Sequence, residues 1–122
     1  MINVSVIGAT GYAGAEIVRL LVNHPHVNII CLTSKQYSGM NYSDVYPSMR
    51  GVVDIKCQEF EPDIIAEKSD IIFLALPHKL SMETAKSLFK YNKKIIDLSA
   101  DFRFKNALTY ESVYDKPHIF NL

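Results

Sequence analysis

A doubly wound α/β domain on a parallel sheet is predicted by three features of this 122-residue chain. A β-branched run from Ile2 to Ile7 leads directly into glycines at positions 8, 11 and 14. A helical pattern and a second β-branched run follow, so strand, turn, helix and strand fit within about thirty residues, the size of one βαβ unit. The rhythm then continues along the chain, with an apolar run at Ile71–Leu76 of the kind a sheet covered on both faces requires.

Taken in order, Ile2–Ile7 ends in glycine, as a buried strand should. From Gly11 to about Asn23 the pattern is helical. Ala13, Ile17, Leu20 and Leu21 share one face, while Glu16, Arg19 and Asn23 fall largely outside it. Pro25 stops this helix. Val27–Leu32 is the second strand, and a polar, tyrosine-bearing loop runs from Ser34 to about Arg50. Val52–Cys57 reads as a third strand, and Pro62–Lys68 as a short helix with proline in its first turn. Ile71–Leu76 is the central strand. Ser81–Tyr91 is a helix with Ala85, Leu88 and Phe89 inward, Lys94–Leu98 a fifth strand, and Leu108–Tyr114 a last short helix. With no internal repeat or linker, residues 1–122 form one domain.

Composition narrows the function classes. Thirteen basic and thirteen acidic residues give zero formal charge. That argues against a broad electrostatic surface for nucleic acid or anionic lipid. No apolar run approaches a membrane span, and the N-terminus lacks a signal-peptide pattern, so the cytoplasm is the expected compartment. Cys31 and Cys57 lie in apolar, β-favouring segments and are expected as buried thiols. His24 and His26 flank Pro25 as surface residues, His118 has no visible partner, and no cluster has metal-ligand spacing.

The chemistry gathers at strand ends. A strand that feeds a glycine-rich turn into a helix presents unpaired N–H groups and the positive end of the helix dipole, which suit a pyrophosphate. The stretch Gly8-Ala9-Thr10-Gly11-Tyr12-Ala13-Gly14 has that context, with the second glycine one place later than in G-x-G-x-x-G. Gly14 is expected to let the helix pack closely, and Thr10 to bring a hydroxyl to the helix start. NAD-specific domains place a carboxylate at the end of the second strand. Here Thr33-Ser34-Lys35 stands instead, with no carboxylate to repel a 2′-phosphate, so NADP is expected over NAD, with Ser34 and Lys35 as its ligands. Tyr37, Tyr42 and Tyr46 either stack on the adenine or else cover a domain edge or meet another domain, and the latter is the expectation. In open α/β sheets ligands sit beyond the carboxyl ends of the strands. Leu74-Ala75-Leu76-Pro77-His78 and Asp97-Leu98-Ser99-Ala100-Asp101-Phe102-Arg103 therefore converge on the same mouth.

Together these four motifs resemble the cofactor domain of the N-acetyl-gamma-glutamyl-phosphate reductase family, over essentially the whole chain. The resemblance implies a Rossmann-like NADP(H)-binding domain and NADPH-dependent reduction of an acyl phosphate to a semialdehyde, in arginine biosynthesis. It implies attack by a cysteine thiolate to give a thioester, reduction by hydride, and a histidine as acid and base. Gly8, Thr10, Gly11, Tyr12, Ala13, Gly14, Ser34, Lys35, Leu76, Pro77 and His78 would then hold the cofactor. Ser99, Asp101 and Arg103 would line the cleft near the nicotinamide and the substrate phosphate. The family's nucleophile segment, like Asn-Pro-Gly-Cys-Tyr-Pro, has no counterpart here, and neither Cys31 nor Cys57 matches it. Lys79 also stands where the family has glycine after the histidine. The expectation is a truncated, cofactor-binding chain without catalysis, with an apolar surface that favours self-association into a homo-oligomer. An aspartate-semialdehyde-dehydrogenase-like reductase and a non-enzymatic NADP-sensing domain are the alternatives.

Overall fold

The computed structural model describes residues 1–98. Four parallel strands form one sheet: β1 (Ile2–Ile7), β2 (Val27–Thr33), β3 (Ile71–Leu74) and β4 (Lys94–Asp97), in the spatial order β2-β1-β3-β4. Helix α1 (Tyr12–Leu21) joins β1 to β2. Helix α2 (Tyr42–Val45), a 3-10 turn at Pro47–Met49 and α3 (Pro62–Lys68) lie between β2 and β3. Helix α4 (His78–Leu88) and a 3-10 turn at Phe89–Tyr91 lead to β4.

The sheet is covered on both faces, as predicted. Val6, Leu32 and Phe73 stand in register across β1, β2 and β3 and pack on the α1 side, with Val18, Tyr42, Val53 and Cys57. On the other face Cys31, Ile72 and Ile95 pack with Ile65 and Ala66 of α3 and Ala85 and Leu88 of α4. One extra residue bulges from β2. Val4 pairs with Ile29 and Ser5 with Cys31, so Ile30 has no partner on β1. Ser5 is buried at the centre of β1, where its hydroxyl bonds Ser69 Oγ at 2.5 Å; Ser69 in turn donates to the Ile65 carbonyl at 2.6 Å.

β1 and α3 have the bounds expected from sequence. Other expectations are corrected. Val52–Cys57 is no strand: it touches its surroundings through isolated bridges, Asn41 with Lys56 and, just beyond, Thr33 with Gln58. Its main-chain groups are taken up locally, Val52 and Val53 N–H by the Met49 carbonyl and Cys57 N–H by Met40. The described residues therefore hold four strands, and Lys94–Asp97 is the fourth. In α1 the buried residues are Gly14 and Val18, while Leu20 is exposed. Helix α4 begins three residues earlier than expected, after Pro77, and Phe89 falls in the 3-10 turn and is exposed. The Leu108–Tyr114 helix and His118 lie outside the described residues.

Candidate functional site

The β1–α1 turn is built around close approaches that leave no room for side chains. Gly8 has φ +85°, and a Cβ there would stand 2.5 Å from the Ala75 carbonyl oxygen and 2.8 Å from Leu76 Cδ2. A Cβ on Gly14 would stand 2.1 Å from the Gly8 oxygen, so the first turn of α1 lies directly on the glycine turn. Gly11 differs, because the nearest atom to an added Cβ is 3.9 Å away. Nothing within the described residues demands a glycine there.

The turn is held from two sides. Gly8 N–H donates to Thr33 Oγ1 at 3.1 Å and Ala9 N–H to the Thr33 carbonyl at 2.9 Å. Thr10 Oγ1 and Ser34 Oγ share a hydrogen bond of 2.8 Å, and Ser34 Oγ also accepts from Tyr37 N–H at 3.1 Å. From the other side the Tyr42 hydroxyl donates to the Ala9 carbonyl at 2.8 Å, and the Tyr46 hydroxyl to the Thr10 carbonyl at 2.5 Å. Burial, with Tyr46 and Cys57 nearby, raises the Tyr42 hydroxyl above its ordinary value. Burial, with Tyr37 and Tyr12 nearby, does the same for Tyr46. Both hydroxyls stay protonated, and so remain donors, at neutral pH.

Beside the turn, at the carboxyl ends of β1, β2 and β3, opens a cleft of about 410 Å³. Its walls are Ile7, Gly8, Thr33, Ser34, Lys35, Glu59, Phe60, Leu76, Leu80 and Thr84. Helix α1 follows the turn whose Gly8 lines the cleft, and it starts without a side-chain cap on Gly11 and without an acidic residue in its first turn. Those orphan N–H groups and the helix dipole favour an anion.

Of the residues singled out from sequence, the cleft brings together Gly8, Ser34, Lys35 and Leu76. Tyr12 is exposed and Ala13 half-buried in the first turn of α1; Pro77 precedes α4 and His78 is its first residue. Ser99, Asp101 and Arg103 lie outside the described residues. The Thr10 hydroxyl does not cap α1, because Ser34 engages it. Ser34 is itself buried, with its hydroxyl committed to the turn. The expected absence of a carboxylate is also corrected: Glu59 lines the same cleft as Lys35. Position in sequence could not reveal it, since the main chain at Gln58 bonds both Leu32 and Ser34 and carries Glu59 there. Tyr42 and Tyr46 support the turn and neither lies among the cleft walls. Cys31 and Cys57 are buried free thiols. Desolvation pushes Cys31 up to about 11 and raises Cys57, so neither is poised as a thiolate. Among the described residues no cluster of His, Cys, Asp and Glu forms a metal site, and no helix is long and apolar enough to cross a membrane.

Residues 3–119 match the family model described as semialdehyde dehydrogenase, NAD binding domain. Curated relatives named N-acetyl-gamma-glutamyl-phosphate reductase are similar over nearly the whole chain. The Desulforudis audaxviator protein is 46% identical over 118 residues, covering 97% of this chain and 34% of the relative. The Geobacter sulfurreducens protein is 49% identical over 119 residues, covering 98% and 34%. The chain thus spans about a third of the length of the curated relatives it matches. Among solved structures, aspartate semialdehyde dehydrogenase with NADP from Candida albicans superposes with a TM-score of 0.72 at 24% identity, over 88% of this chain and 32% of that one. Aspartate semialdehyde dehydrogenase II from Vibrio cholerae gives 0.65 at 21%, over 85% and 30%. At these identities the solved structures show the fold, a Rossmann-like α/β sheet.

Proposed function

The chain belongs to the semialdehyde dehydrogenase NAD-binding domain family, and from that membership we propose that it binds NADP(H) in the cleft beside the β1–α1 turn. The observation that carries this is the cleft itself, where the glycine turn, Lys35 and Leu76 meet at the strand ends. The residues fit a dinucleotide. The open side of Gly11 leaves space for a pyrophosphate at the start of α1, and Ile7, Phe60, Leu76 and Leu80 supply apolar surface. Lys35 stands two residues beyond β2, where ribose recognition is set, and its ammonium suits a 2′-phosphate. Thr10, Tyr12, Ala13, Pro77 and His78 belong to the same proposed site by position at the turn and at the start of α4. So does Ser34, which lies directly before Lys35 and acts by holding Thr10. Ser99, Asp101 and Arg103 keep the substrate-side role that the resemblance implies.

The reaction we assign is the one its curated relatives are named for, reduction of an acyl phosphate, N-acetyl-gamma-glutamyl phosphate, to the semialdehyde. When bound, the nicotinamide supplies the hydride. In this reading the described residues bind and orient it, and neither Cys31 nor Cys57, both buried with raised thiols, is poised as the nucleophile. A cytoplasmic, homo-oligomeric enzyme belongs to the same reading.

The test is fluorescence titration with NADPH and NADH, for the wild type and Lys35→Ala. The variant is expected to weaken NADPH about tenfold, the usual worth of one charge-assisted hydrogen bond, with NADH changed less than twofold. Equal losses for both cofactors would remove Lys35 from the 2′-phosphate.

A further inference from the structure

We propose that Tyr46, with Tyr42 behind it, is a positioning residue that sets the shape of the phosphate-binding turn and makes its affinity depend on the loop after β2. This rests on the cofactor reading above and goes beyond it, because neither tyrosine lines the cleft.

The hydrogen bonds of the turn divide into two sets. Gly8 N–H, Ala9 N–H, the Ala9 and Thr10 carbonyls and the Thr10 hydroxyl all have partners from the β2 end or the loop. The next donors in line, at the start of α1, are the ones a phosphate would meet. Orienting them is a matter of fixing the two peptide groups just before. Tyr42 and Tyr46 do this by taking the Ala9 and Thr10 carbonyls. A carbonyl drawn toward a tyrosine turns the following N–H, that of Thr10 or Gly11, the opposite way, because the peptide group is planar; the Gly11 N–H then meets the Gly8 carbonyl at 3.4 Å and closes the turn just ahead of the α1 donors.

The tyrosines are fixed in their turn. Tyr42 is fully buried among Val6, Ala9 and Val18, and its N–H donates to the Ile55 carbonyl at 2.8 Å. Tyr46 donates its N–H to the Tyr42 carbonyl at 2.9 Å, and the two rings lie 5.3 Å apart. Pro47 follows and keeps Tyr46 out of the helical region, here at φ −124° and ψ 89°. A segment more than thirty residues from the turn therefore acts on it through two hydroxyls.

Tyr46 is only half-buried, so water can replace its hydroxyl at the Thr10 carbonyl and the fold survives its loss. Tyr46→Phe in the full chain is expected to raise the NADPH dissociation constant about fivefold, the range of one net hydrogen bond. Affinity for adenosine 2′-monophosphate, which lacks the pyrophosphate, is expected to hold within twofold, with the thermal midpoint near wild type. Unchanged NADPH affinity, or equal losses for both ligands, overturns the proposal while leaving the cofactor reading in place. Failure of the wild type to bind NADPH overturns the cofactor reading, and this proposal with it. A readout without any variant is hydrogen exchange at the Tyr46 amide. Coupling is reciprocal, so NADPH must slow exchange there; an unchanged rate overturns the proposal.

Discussion

Gly8 and Gly51 have the same left-handed backbone, with φ of +85° and +79°, in surroundings that have nothing in common. A Cβ on Gly8 meets the Ala75 carbonyl at 2.5 Å, while one on Gly51 meets nothing within 4 Å. Around the Gly8 turn the partners come from β2, from Ala75 and Leu76 just after β3, and from the loop after β2. Around Gly51 the bonds are local: Val52 and Val53 N–H reach back to Met49. The same dihedral thus has two causes. One glycine satisfies a short loop, and the other lets distant chain close in on a single point. Only the second kind of crowding builds a site.

Three substitutions bear on that contrast, with effects of descending size. Gly14→Ala should be the most damaging, because a Cβ 2.1 Å from the Gly8 oxygen forces α1 off the turn. A loss of about 3 kcal/mol or more is expected in chemical denaturation; wild-type stability would show that the close packing is not needed. Gly11→Ala should leave stability within about 1 kcal/mol, since the space is open and φ is −76°. NADPH affinity should nevertheless fall at least tenfold as the methyl enters the phosphate's space, and an unchanged titration would take the phosphate away from Gly11. Gly51→Ala should cost about 1 kcal/mol through its backbone alone, with NADPH affinity unchanged. A loss of binding there would join the two loops that the contrast keeps apart.

The sheet and its helices were legible because burial on both faces leaves continuous apolar runs such as Ile71–Leu74. The glycine turn was legible because glycine has few other uses at a strand end. Val52–Cys57 misled, since its apolar residues alternate with polar ones and Val53 and Cys57 are buried for packing, while its main chain bonds to the loop. Leu20 and Phe89 misled because helical phase identifies a stripe but not its centre. Glu59 and the two tyrosine hydroxyls were invisible for a different reason. Each owes its place to contacts across distant positions, and no local pattern encodes which loop side chain will reach the Ala9 carbonyl.

The bulge in β2 bears on how the chain can change its length. Pairing with β1 runs continuously from Val27 to Ile29 and again from Cys31 to Thr33. The side chains on either side of Ile30 already alternate as they would if it were removed, with Ile29 and Leu32 on the α1 face and Cys31 opposite. Ile30 is therefore a surplus letter in the strand. Its deletion keeps the reading frame of the ladder and still delivers Thr33 to Gly8, whereas an insertion or loss between Cys31 and Thr33 puts that hydroxyl on the wrong side of the sheet.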